Sequence, residues 1–111
     1  MHSWNLLEID TPGGSRSPVV VHSEEASRAV LIGLDPGQAL RDHQVHERSW
    51  VLVVDGTVRI EAGDDSVEAG PGFLAWFDVE ERRSISSDGG ARILLLLAPW
   101  PGKGHFHPEE R

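Results

Sequence analysis

The run Trp50-Val51-Leu52-Val53-Val54-Asp55-Gly56-Thr57-Val58-Arg59-Ile60-Glu61-Ala62 decides the fold class. Its second half alternates strictly, with Val58, Ile60 and Ala62 on one side and Thr57, Arg59 and Glu61 on the other. A strand sends successive side chains to opposite faces, so this alternation predicts a strand with its apolar face inward. The first half is apolar at every position from Trp50 to Val54, the pattern of a strand covered on both faces. Between the two stands Asp55-Gly56. Asp-Gly flanked by apolar runs predicts a two-residue hairpin, because glycine accepts the positive φ that such a turn demands.

Working outward, Val19 to His22, Ala29 to Leu34, Phe73 to Phe77 and Arg92 to Ala98 are further short apolar runs. Pro12-Gly13-Gly14, Asp35-Pro36-Gly37, Gly63-Asp64-Asp65, Gly70-Pro71-Gly72 and Asp88-Gly89-Gly90 punctuate them, at the spacing of an all-β sandwich or barrel. Ser23 to Arg28 is the one stretch that could form a helical turn. In the last run Leu94 and Leu96 lie opposite in phase to Ile93, Leu95 and Leu97, so the outer face there needs cover. The amino-terminal strands or a second subunit of a homodimer would provide it.

A chain of 111 residues fits one domain with a real core, spanning 1–111 with an exposed tail expected at 102–111. It has no cysteine, which removes disulfides, thiolate metal sites and cysteine nucleophiles together. Eighteen acidic residues against ten basic ones give a net charge of −8, with the basic residues scattered, so nucleic acid is not an expected partner. The first ten residues do not read as a secretion signal, and the longest apolar run is far shorter than the roughly 20 residues of a membrane helix. A soluble, cytoplasmic protein with no membrane partner is expected.

The segment Gly37 to Gly56 resembles the first cupin motif, G-x(5)-H-x-H-x(3,4)-E-x(6)-G, with Gly37, His43, Val45, Ser49 and Gly56 at the motif positions. The segment from Gly72 resembles the second motif, G-x(5)-P-x-G-x(2)-H-x(3)-N, with Asp78, Glu80, Arg83 and Ser87 at the later positions. The likeness covers about Ala29 to Pro101. It implies a small cupin-type β-barrel, a double-stranded β-helix or jelly roll. In that family two histidines and a glutamate of the first motif and a histidine of the second hold a divalent metal inside the barrel. The corresponding residues here are His43, Val45, Ser49 and Arg83, which leaves one ligand of four. The resemblance therefore implies a degenerate metal site and no cofactor held in the family manner. A shifted ligand set of His43, His46 and Glu47 is the alternative, with a strand bulge turning His46 inward.

His43 is aligned to an inward position, where imidazole can act as acid, base or hydrogen-bond partner. It can equally be a structural histidine. Arg83 aligns inward too. It can read a carboxylate or phosphate, or form a salt bridge to Glu47, Glu80 or Glu81. Trp50 and Trp76, with Phe73 and Phe77, can line a ligand pocket or pack in the core, and core is the commoner role. His105 and His107 lie in the expected tail.

Three functions are compatible with these residues. The first is a metal-free barrel that binds a small anion through His43, Arg83 and Ser49, with Trp50 and Trp76 as walls. The second is an enzyme, either a metal-dependent oxygenase with the shifted set or a metal-free lyase or isomerase with His43 as base. The third is an interaction module whose barrel is packed solid.

Overall fold

A computed structural model describes residues 1–24, 26–43, 48–79 and 81–98, with the backbone alone for residues 41–43. Nine strands occur among the described residues: β1 (Val19–Glu24), β2 (Ser27–Leu34), β3 (Ala39–His43), β4 (Ser49–Gly56), β5 (Val58–Ala62), β6 (Asp65–Ala69), β7 (Leu74–Phe77), β8 (Arg83–Ser86) and β9 (Ala91–Leu97). They form two antiparallel sheets, one ordered β1-β2-β9-β4-β7 and the other β3-β8-β5-β6. The expected all-β class holds.

The core lies between the sheets, where Ile32, Val51, Val53, Ile93 and Leu95 of the first meet Val58, Ile60 and Ile85 of the second. Each is an inward member of an alternating pair. Full burial of one such side chain is worth about 1.5–3 kcal/mol, so the core rows hold the sheets face to face.

Asp55-Gly56 does not make the expected hairpin. β4 already has neighbours on both edges, β7 and β9, so no edge is free for β5. β5 pairs instead with β6 and β8 in the opposite sheet. Gly56, at φ 79°, turns the corner from one sheet to the other. The corner is tight: a Cβ at Gly56 would lie 2.3 Å from the Gly90 carbonyl oxygen. Nor does Ser23 to Arg28 form a helical turn, since Glu24 pairs with Ser27 and closes a β1–β2 hairpin.

The amino-terminal segment straps the outer face of the five-stranded sheet. Arg92 donates through Nη1 to the carbonyls of Leu6 (2.6 Å) and Ile9 (2.5 Å). Thr11 occupies the space a side chain at Gly33 would need. A single turn of 3-10 helix at Gly14–Arg16 follows, tethered where Gln38 Oε1 accepts from the Ser15 and Asp35 amides, both at 2.9 Å. On this face Leu31 is fully buried, while the β4–β7 side is open. The outer cover expected for Leu94 and Leu96 is therefore only partial: Leu94 is half-buried and Leu96 exposed.

Candidate ligand site

Period two along β8 decides what enters the barrel. Arg83 and Ile85 are buried, and Ser87, one residue past the strand, continues the inward phase. At one end of this row the inward residue is thus a cation. Arg83 is 4% exposed, and its Nη1 is buried with no hydrogen-bond partner among the described residues. A guanidinium carries five N–H donors and no acceptor, so nothing on the residue itself relieves the loss of water. Its Cζ lies 4.8 Å from the centroid of the Phe77 ring, a cation–π contact that offsets part of that loss. Burial pushes the Arg83 pKa below the ordinary arginine value, against a smaller opposing influence from Glu81. Glu81 is exposed and its carboxylate caps the Asp78 amide at 3.0 Å. Arg83 makes no ion pair among the described residues.

Ser49 opens β4 and is fully buried, and its Oγ also lacks a partner among the described residues. In register it stands between Phe77 of β7 and Leu97 of β9, so Phe77 neighbours both stranded polar groups. His43 is placed opposite Arg83 by an irregularity in β3 between Leu40 and His43. The His43 side chain, Val45, His46, Glu47 and Glu80 lie outside the described residues, as do His105 and His107. The bulge that would turn His46 inward falls there too.

Beside Arg83 lies a cavity of about 140 Å³ between the sheets. Its walls are aliphatic, Val51, Ile85, Ile93 and Leu95 among them, and Arg83 is the one polar residue lining it among those described. Two other depressions among the described residues are less suited to an anion. A groove of about 380 Å³ running past Phe73, Trp76 and Phe77 also presents Asp65 and Glu81. A pocket of about 160 Å³ at the opposite end contains Arg59, whose charge is already met by Glu61 at 3.1 Å and Glu68 at 3.4 Å.

Trp50 and Trp76 are not walls of the cavity, and they are not core. Alternation sends Val51 and Phe77 inward, so Trp50 and Trp76 fall on the outer face, 41% and 47% exposed, with ring centroids 6.4 Å apart. Phe73 is exposed as well, while Phe77 is buried. Trp76 borders the open groove. Sequence reasoning passed over Arg28, which the β2–β9 register sets opposite Leu97 and so at the end of the Ser49 row. An arginine in the phase of Val30 and Ile32 was the signal available.

The arrangement of two sheets closed on one core is shared with solved structures. The TT1209 protein of Thermus thermophilus superposes with a TM-score of 0.77 at 23% identity, over 89% of this chain and 98% of its own. An RmlC-like cupin from Desulfovibrio desulfuricans does so with a TM-score of 0.77 at 22% identity, over 89% and 97%. This is the cupin fold. The cupin domain of Schizosaccharomyces pombe Cnp3 shares it at 11% identity, with a TM-score of 0.75 over 87% of this chain and 73% of that one. No family model matches the sequence, and no curated protein does. At these identities the likeness is one of fold, and the chemistry has to be argued from the barrel's own residues.

The fit of these residues to a metal can be weighed only at the two positions whose side chains are described. Of the four ligand positions, the two whose side chains are described carry a hydroxyl and a guanidinium. Arg83 has no lone pair to give and sets a permanent positive charge where a dication would sit. What its buried Nη1 lacks among the described residues is an acceptor.

Proposed function

We propose that this cupin barrel binds a small anionic molecule without a metal, with Arg83 as the anchor. The buried Nη1 of Arg83, without a partner among the described residues and beside an aliphatic cavity, is the observation that carries the reading. An unpaired buried charge is among the costliest features a fold can hold, and an apolar residue of similar volume would serve stability better. An oxyanion supplies what is missing, since the planar fork of arginine matches a carboxylate or phosphate with two parallel hydrogen bonds. Ser49, opposite Phe77 in register, is a second buried polar group without a partner among the described residues, though it does not line the cavity. The backbone of His43 stands opposite Arg83 in register. The cavity speaks against a barrel packed solid.

The test is a thermal-shift panel of small carboxylates and phosphates on the wild type and Arg83→Met, with elemental analysis alongside. At least one anion is expected to raise the wild-type Tm, none to raise that of the variant, and metal to be well below one per chain. One tightly held metal per chain that is lost on His43→Ala, or a wild type indifferent to every anion, would sink the reading.

We also propose that two copies pair through the outer face of β9, β4 and β7. Leu96, Trp50 and Trp76 stand in one register row there, and Leu94, Leu52 and Leu74 in the next. The patch carries no charge in a chain of net charge −8, so it is a face on which two copies meet without opposing like charges. Contiguous exposed apolar surface of this kind commonly marks an interface.

A further inference from the structure

Charge alone does not say which anion enters the barrel, but the walls of the cavity do. Resting on the assignment of Arg83 to an anion, we infer that the ligand is a monocarboxylate with a compact hydrocarbon body of about five or six carbons. The volume sets the size: a dry apolar cavity of about 150 Å³ holds a benzene-sized molecule, and this one measures about 140 Å³. The lining sets the chemistry. Apart from Arg83 the described walls are aliphatic, so a sugar or amino acid would bury hydroxyl or ammonium groups against Val51, Ile93 and Leu95 with no partner.

The count of donors sets the charge. One guanidinium fork matches one carboxylate. A dicarboxylate or phosphate dianion brings a second negative charge, and no second cation lines the cavity among the described residues. Arg28, the other arginine near this end, is engaged in an interaction of its own. On the far side of Phe77 the groove holds Asp65 and Glu81, which repel a second carboxylate reaching outward. The ligand that fits has its carboxylate on Arg83 and its hydrocarbon body among Ile85, Ile93 and Leu95.

Titration calorimetry of the intact chain with acetate, propanoate, butanoate, 3-methylbutanoate, benzoate and octanoate tests this directly. Affinity is expected to rise about fourfold per added carbon while the cavity fills, and to stop rising before octanoate. Neutral 3-methylbutanamide should bind at least about tenfold more weakly than 3-methylbutanoate, a gap that Arg83→Met should close. Methyl resonances of Ile85, Ile93 and Leu95 should shift on adding 3-methylbutanoate, a readout that needs no variant to fold. If phosphate or succinate binds more tightly than every monocarboxylate, or if those methyls stay still while 3-methylbutanoate binds, the ligand class is wrong and Arg83 remains an anion site. If no anion binds the wild type at all, the anion reading falls with it.

Discussion

Two buried serines, Ser87 and Ser49, mark opposite ends of the same barrel and have opposite fates. At the glycine-corner end Ser87 donates its Oγ proton to the Thr57 carbonyl at 2.7 Å, its carbonyl accepts from the Gly37 amide at 2.8 Å, and its amide donates to the Gln38 carbonyl at 3.1 Å. At the other end Ser49 Oγ has no partner among the described residues, and Arg83 Nη1 shares that condition. Buried polar groups are satisfied in the great majority of cases, and each exception needs its own explanation. Where the chain folds over itself, the fold completes its own hydrogen bonds. At the Arg83 end the same side-chain type is left without a partner among the described residues, which is the contrast the proposed anion reading draws on.

The contrast can be broken hardest at the finished end. Gly56→Ala would force a side chain onto a residue at φ 79°, with its Cβ 2.3 Å from the Gly90 oxygen and 2.7 Å from the Ala91 Cα, both backbone atoms that cannot step aside. A loss of about 3 kcal/mol or more is expected in urea unfolding. A loss under about 1 kcal/mol would show that the corner relaxes freely.

The serines themselves sharpen the comparison at a smaller scale. Ser87→Ala strands the Thr57 carbonyl and should cost about 1 kcal/mol or somewhat more, whereas Ser49→Ala removes an orphan and should fall within about 0.5 kcal/mol of the wild type without ligand. Equal losses at the two sites would mean that Ser49 is satisfied after all. The smallest effect on the fold is expected outside the barrel. Trp50→Lys should leave the unfolding free energy of a monomer within about 0.5 kcal/mol of the wild type. It should nonetheless turn a dimer into a monomer by light scattering, and a wild type that is already monomeric at tens of micromolar, where a dimer of about micromolar affinity would form, removes the proposed interface.

The fold class was legible from Val58 to Ala62, because alternation is local and needs no knowledge of partners. Pairing was not, because which edges of β4 are occupied depends on β9, some forty positions along the chain. Asp55-Gly56 carries the same positive-φ requirement in a hairpin and in a corner, so the local signal could not separate them. β3, β6 and β8 escaped the apolar-run reading for another reason: β6 is almost wholly exposed, and β8 places an arginine in its first inward slot. The motif spacing placed Arg83 inward, and it is buried, as is Ser49, whereas Trp50 and Trp76, expected in a pocket wall or the core, lie on the outer face. A tryptophan in a strand usually contributes by burial, and here the outer face keeps two in the open.

The strap over the outer face carries a consequence for the order in which the chain assembles. Arg92 binds the Leu6 and Ile9 carbonyls across 86 and 83 positions of sequence, and it belongs to β9, the strand seated between β2 and β4. Contacts of such separation must close nearly the whole chain before they return any stabilisation, so they form late. During synthesis the first dozen residues therefore wait, undocked, until β9 has emerged and slotted between its two neighbours. Until then the five-stranded sheet is two unjoined halves, β1-β2 and β4-β7, each with an unpaired edge, and the arrival of one late strand both joins them and provides the hook that fastens the beginning of the chain.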